Sequence, residues 1–107
     1  VGRIEKWYME RFARFLTKLD EARDADGSSV LDNSMIVYGC AIGDGNRHNH
    51  DQLPVVLAGG GGGTLNPGRH VKLAVATPMT NLYASMLDRL GVRAERVGDS
   101  TGRLDEV

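Results

Sequence analysis

The sequence predicts an α/β protein in which a short sheet is flanked by two amphipathic helices. Two segments carry apolar residues at helical spacing, and two apolar runs rich in β-branched residues lie between them. Loops rich in glycine and asparagine separate these segments. Because continuous apolar runs are typical of strands covered on both faces, we expect buried strands rather than a half-exposed sheet.

The first helix is predicted over residues 4–22. Its apolar side chains recur at steps of three and four residues, and charged side chains cover the other side. We expect the apolar side, rich in aromatic rings, to face the core, with a partner or membrane helix as the alternative. The residues of that side are Ile4, Trp7, Tyr8, Phe12, Phe15, Leu16 and Leu19.

Two buried strands are predicted over residues 34–42 and 53–59, and residues 70–76 are a candidate edge strand. Pro54 cannot donate a hydrogen bond to a neighbouring strand, so it should lie where the second strand begins. Five glycines at 59–63 are either a flexible turn or a close backbone approach to a ligand. Neither a P-loop nor a dinucleotide fingerprint fits the residues that follow them.

The second helix is predicted over residues 77–92. Thr77 is a candidate N-cap, Pro78 suits the first helical position, and Gly91 suits the left-handed residue that ends a helix. The expected inner stripe is Met79, Leu82, Tyr83, Met86, Leu87 and Leu90.

Composition and charge narrow the range of partners. Among 107 residues, 13 are Lys or Arg and 14 are Asp or Glu, giving a net charge of -1. No block of like charge suggests nucleic acid or an anionic membrane as a partner. No apolar stretch approaches the roughly 20 residues of a membrane span, and the lone Cys40 excludes an internal disulfide. Because two strands and two helices make a thin core, we expect residues 1–107 to be a single segment of a larger α/β domain.

The loop between the predicted strands carries the candidate chemistry. Asp44, His48, His50 and Asp51 lie within it, just after the first strand. Ligands of α/β proteins collect at the carboxyl ends of strands, and a carboxylate with imidazoles suits Zn²⁺, Mn²⁺ or Fe. Residues two apart in an extended chain point the same way, so His48 and His50 could converge on one ion. The alternative is a solvated loop whose polar side chains bond one another.

Three stretches resemble a known family. They are "LDNSMIVYGCAIGDGNRHNHDQLPVVLAGGGGG", "GRHVKLAVATPMTNLYASMLDRLGV" and "GDSTG". Together they resemble the carboxyl-terminal part of the bacterial HXXSHH family, also designated domain of unknown function 1552. The resemblance covers nearly the whole chain, and "DGNRHNHDQLPVVLAGG" is its most specific part. The histidine motif that gives the family its name does not occur in these 107 residues.

The layout is distantly similar to the end of the alkaline-phosphatase-like superfamily. That resemblance implies a metal-dependent hydrolase of phosphate or sulfate esters, using a divalent metal such as Zn, Mn or Ca. It implies His48 as the best metal ligand and Asp44 as a weaker one, although Gly45 stands where a His is expected. His50 is the third candidate ligand and has no clear counterpart.

The same resemblance implies which parts of the protein lie elsewhere. The nucleophile and the remaining acidic ligands would lie upstream in the parent chain, which is then the expected partner of this segment. The expected substrate is a small anionic ester, and the expected location is periplasmic or secreted. The alternative is a non-catalytic binding or structural module that retains the fold.

Overall fold

Two helices and a two-stranded sheet form the framework, so the predicted mixed α/β class is confirmed. The computed structural model describes residues 2–43 and 45–107. Its likeness to an alkaline-phosphatase-like sheet stays a prediction. The elements in chain order are helix α1 (Gly2–Glu21), strand β1 (Ile36–Gly39), strand β2 (Val55–Ala58), a 3₁₀ turn (Gly61–Gly63) and helix α2 (Met79–Arg89).

Helix α1 lies on the surface of the protein. Glu5 in its first turn and Lys18 in its last turn complement the helix dipole. None of its described residues is buried, so the expected core-facing helix is wrong for most of its length. Its main inward contact is Phe12, whose ring stacks on Tyr38 of β1 with centroids 4.7 Å apart. Within the described residues, no helix is both long and apolar enough for a membrane span.

The chain after α1 folds back onto the end of the helix. Val30 N donates to Ala22 O at 2.9 Å, and Leu31 N donates to Leu19 O at 3.1 Å. The Asn33 amide closes the turn by donating to the Asp24 carboxylate at 2.6 Å. This turn brings the chain to the start of β1.

Strands β1 and β2 form an antiparallel hairpin. The register pairs Ile36 with Ala58 and Gly39 with Val55. The prediction of buried strands is wrong, because β1 is half-buried and Val56 of β2 is exposed. Residues 70–76 form no strand and follow an irregular path. Both strands are shorter than predicted, because residues 40–54, which connect them, form no strand pairs.

Helix α2 begins one residue later than its sequence suggests. Pro78 occupies the N-cap position, and the Thr77 hydroxyl donates backwards to Val75 O at 3.0 Å. The prediction that Thr77 caps the helix is therefore wrong. Gly91, at a φ of 81°, takes the left-handed conformation predicted for it.

The carboxyl-terminal residues 99–107, here called the tail, cover a polar side of α2. Asn81 accepts from Thr101 N at 2.8 Å and donates to the Thr101 hydroxyl at 3.1 Å. The Ser85 hydroxyl accepts from Leu104 N at 2.7 Å and donates to Leu104 O at 3.1 Å. These bonds satisfy the buried Asn81 and Ser85, whereas Tyr83 and Leu90 of the predicted stripe are exposed.

An ion pair fastens the tail further. Arg103 donates to both carboxylate oxygens of Asp88, at 2.8 and 3.2 Å, and also to Ala94 O. This hydrogen bonding lowers the pKa of the Asp88 carboxyl and raises the pKa of Arg103. Arg93 also donates to Asp88, at 3.2 Å.

The buried apolar core is small and lies around α2. In the described residues, the buried apolar side chains are Leu65, Leu82 and Ala84. The radius of gyration is 15.3 Å, compared with about 13 Å for a compact domain of this length. The protein therefore leaves much of its apolar surface available for contact.

Candidate functional site

Residues 40–53, here called the histidine loop, connect β1 to β2 and hold two of the candidate ligands. A backbone bond from Gly43 N to Asn49 O, 2.9 Å long, closes the loop on itself. A β-carbon at position 43 would lie 2.5 Å from Asp51 O, so this close approach requires glycine. Asp44 lies outside the described residues.

The ring of His50 is oriented by the chain that leaves β1. Its Nδ1 lies 2.6 Å from Ala41 O. A carbonyl oxygen only accepts, so Nδ1 carries the proton of this bond, and in the neutral ring Nε2 keeps its lone pair. His50 as a whole is an exposed residue. Metal-binding histidines are held in this way, with the other ring nitrogen donating to a carbonyl or carboxylate.

His48 lies on the exposed turn of the histidine loop. Its backbone φ is 54°, in the left-handed region that few non-glycine residues adopt. Residues 45–48 form a turn. The premise that His48 and His50 point the same way along an extended chain is therefore wrong. Both side chains remain exposed on the same loop.

Asp51 is engaged within the histidine loop. Its carboxylate accepts a 2.5 Å hydrogen bond from the Asn49 amide. Asn49 thus contributes twice to the loop, because its carbonyl also accepts from Gly43 N. Asp51 and Asn49 are thus joined to each other within the loop.

The donor set fits a divalent metal in part. Two exposed imidazoles on one loop, one of them already oriented, are suitable ligands for Zn²⁺ or Mn²⁺. Across residues 2–43 and 45–107, no three His, Cys, Asp or Glu side chains lie close enough together to hold one ion. A catalytic zinc site uses three protein ligands, so the described residues do not form a complete one.

The five glycines do not form an anion cradle. Gly60 N donates to Leu31 O, Gly61 N to Ser34 O and Gly62 N to Asp32 O, at 2.8–3.2 Å. A β-carbon at Gly59 would lie 2.1 Å from Ser34 O, and one at Gly60 would lie 2.5 Å from Asp32 O. Gly59 and Gly60 let two backbone segments pack directly together, and the predicted turn follows as a 3₁₀ turn at Gly61–Gly63.

A cleft of about 440 Å³ lies between residues 73–77 and the tail. Asn81 and Arg103 line it together with Asp105 and Glu106, and none of the three histidines does. His70, the third histidine of the chain, is exposed in the irregular segment 70–76. The cleft and the histidine loop are therefore separate features.

The residue that sequence reasoning missed is Ala41, whose carbonyl oxygen orients His50. Every residue carries a carbonyl, so no side-chain pattern indicates this role. Comparisons with protein-family models, curated proteins and solved structures each found no match. The resemblance to the HXXSHH family and the roles that it implies for Asp44, His48 and His50 stay predictions.

Proposed function

We propose that this chain supplies part of a divalent-metal centre in an alkaline-phosphatase-like hydrolase of phosphate or sulfate esters. The observation that carries the proposal is the hydrogen bond between His50 Nδ1 and Ala41 O. It commits one ring nitrogen to the protein and leaves the other for a metal ion. This geometry favours His50 as the first ligand, ahead of His48, which the resemblance alone ranks higher.

Each residue of the histidine loop has a distinct part in this proposal. His50 would bind the ion through Nε2, and His48 would bind it from the exposed turn. The resemblance adds Asp44 as a carboxylate ligand. When bound, such an ion activates a hydroxyl nucleophile and stabilises negative charge on the leaving oxygen. The nucleophile itself belongs to the upstream part of the parent chain.

The hairpin offers a place where the parent chain could join this segment. Among the described residues β1 pairs only with β2, so each strand has one edge without a neighbour. An unpaired edge presents backbone donors and acceptors to a further strand. We expect the sheet of the parent to continue from such an edge, which would bring upstream ligands towards the histidine loop.

Metal titration of the 107-residue chain tests the ligands directly. Calorimetry with Zn²⁺, Mn²⁺ and Ca²⁺ should detect weak binding of one of these ions. His50→Ala and His48→Ala should each weaken it at least tenfold, in line with the usual effect of disturbing a metal site. His70→Ala is the matched control and should bind as the wild type does. Equal binding by all four proteins would refute the metal site.

Turnover by the full-length parent tests the reaction. It should hydrolyse an aryl phosphate or an aryl sulfate, and His50→Ala should abolish that activity. The 107-residue chain alone should be inactive, because its nucleophile lies elsewhere. If the isolated chain showed turnover and His50→Ala removed that turnover, this division of the site would be contradicted.

A second candidate is a non-catalytic module that retains the fold. The bond between Asn49 and Asp51 favours it, because this carboxylate is occupied in holding the loop together. A parent that binds metal through His50 but hydrolyses neither ester would support this candidate over the hydrolase.

A further inference from the structure

Helix α1 exposes four large apolar side chains on one side, with Arg11 among them. Ile4 is 61% exposed, Trp7 and Tyr8 are each 52% exposed, and Phe15 is 49% exposed. We call these four residues the aromatic face. They lie beside the side of α1 that carries Phe12, which packs on Tyr38. Half-exposed rings contribute roughly 100 Å² each, so the patch reaches the size that marks an interaction surface.

A row of charges borders the aromatic face on one side. Arg3, Glu10, Arg14 and Glu21 follow one another at steps of seven, four and seven residues. With about 3.6 residues per turn, these steps keep all four on one side of the helix. All four are exposed. We call them the charged row, and its signs alternate from positive at Arg3 to negative at Glu21.

The order of the charges in the row is self-complementary. The row reads positive, negative, positive, negative, with its midpoint at residue 12. If a copy of the row is turned end for end, every positive charge faces a negative one. Rows on the same side of two helices meet in an antiparallel pair, so Arg3 would face Glu21 of the second copy, and Glu10 would face its Arg14.

We propose that the aromatic face of α1 is the interface of a homodimer in which two copies of α1 pack antiparallel. In that register Tyr8 lies within one residue of the level of Phe15 of the second copy, which brings the two aromatic faces together. Arg11, which lies within the face, is held over its own Trp7 ring, 5.3 Å from the centroid. That contact directs the guanidinium along its own helix and away from the matching arginine.

The same charges argue against an anionic membrane as the occupant of this face. Helices that lie on membranes carry mainly Lys and Arg along the polar side. Here the charged row has two acids and two bases, so an anionic surface would attract and repel it equally. A second copy satisfies all four charges at once. The homodimer does not depend on the metal site.

The expected affinity is modest. A stable interface buries about 800 Å² on each partner, and the aromatic face supplies roughly half of that. Sedimentation equilibrium of the wild-type chain should therefore show a monomer–dimer equilibrium with a Kd in about the micromolar range. Association should weaken as salt is added, because the charged row is exposed.

Charge reversal tests the register. Glu10→Arg and Arg14→Glu should each raise the dimer Kd at least tenfold, because each brings like charges together. An equimolar mixture of the two variants should recover association, since position 10 of one then attracts position 14 of the other in both directions. Charge interactions within one helix cannot produce that recovery. Asp20→Arg and Lys6→Glu make the same charge changes off the interface and should dimerise as the wild type does.

Three results would overturn the proposal. The first is a wild-type chain that stays monomeric up to about millimolar concentration, beyond the micromolar range expected for this interface. The second is a mixture of the two variants that associates no better than either alone. The third is a monomer that binds phosphatidylserine vesicles through the aromatic face, which would assign the face to a membrane. Recovery in the mixture, with unchanged controls, would establish the antiparallel pair.

Discussion

The two ends of the β1–β2 hairpin look equally loop-like in sequence but are built differently. At one end, Gly60, Gly61 and Gly62 donate backbone hydrogen bonds to carbonyls of residues 31–34. At the other end, the histidine loop is exposed and closed by one backbone bond and a few side-chain bonds. The glycine end therefore contributes stability, whereas the polar end presents side chains. Glycine content alone does not distinguish a flexible loop from a tightly packed one.

Among the substitutions that test this difference, that of Gly59 should have the largest effect on stability. Its φ of 105° is unfavourable for other residues, and a β-carbon would lie 2.1 Å from Ser34 O. Gly59→Ala should lower the free energy of unfolding by about 3–4 kcal/mol, from backbone strain and overpacking together. Urea denaturation, monitored by circular dichroism, measures this loss in the free energy of unfolding.

Gly62→Ala is the matched control at the same end of the hairpin. Gly62 also has a positive φ, 68°, but a β-carbon there would meet nothing within 4 Å. Only backbone strain remains, so the loss should be about 1 kcal/mol. Equal losses for Gly59→Ala and Gly62→Ala would show that the glycine end is not closely packed.

The next largest effect is expected at the other end of the hairpin. Gly43→Ala would place a β-carbon 2.5 Å from Asp51 O. It should cost about 2 kcal/mol at most, because the exposed loop can shift to relieve the contact. Hydrogen exchange should locate the change in residues 40–53. A loss as large as that of Gly59→Ala would contradict the difference between the two ends.

Acid should weaken the turn on which the glycine end packs. The hydroxyl and amide of Ser28 hydrogen-bond to the Asp26 carboxylate and lower its pKa. A lowered pKa in the folded state means that the stabilisation is fully present above the ordinary Asp pKa, about 3.9, and is lost as pH falls below it. In thermal melts, the melting temperature should fall between pH 5 and pH 2. This fall should be smaller than the one caused by Gly43→Ala.

Asp26→Asn should make the melting temperature depend less on pH over this range. Asp88 of α2 also stabilises the fold less as pH falls, because its hydrogen bonds with Arg103 likewise lower its pKa. Asp88→Asn should therefore remove a separate part of the acid response. A melting temperature that is unchanged down to pH 2 in the wild type would contradict both assignments.

Periodicity predicted the helices well and their buried faces poorly. The spacing of apolar residues placed both ends of α1 and the start of α2 within two residues of their observed bounds, and the end of α2 three residues too late. It identified Leu82 but not the polar residues Asn81 and Ser85 as buried, because these two bond to backbone groups of Thr101 and Leu104. Contacts to a backbone distant in sequence leave no periodic signal. The antiparallel pairing of β1 with β2 was not predicted for the same reason.

Sequence reasoning also identified the candidate loop but not its internal geometry. Residue type and spacing selected His48 and His50, and both are exposed on the histidine loop. The distinction between them comes from Ala41 O, nine residues before His50. The positive φ of His48 likewise depends on how residues 43 and 49 close the loop. Neither feature follows from local composition.

The smallest expected effect concerns strain at the end of the histidine loop. Gln52 has a φ of 51°, in the same left-handed region as His48. Gln52→Gly should remove strain of about 1–2 kcal/mol and lose about 0.5–1 kcal/mol to backbone entropy, for a net gain near 0.5 kcal/mol. Gln52→Ala keeps the β-carbon and should leave stability unchanged. Since Gln52 is not a proposed ligand, Zn²⁺ affinity should change less than twofold in either variant. A Gln52→Gly protein less stable than Gln52→Ala would show that the left-handed backbone is not strained here.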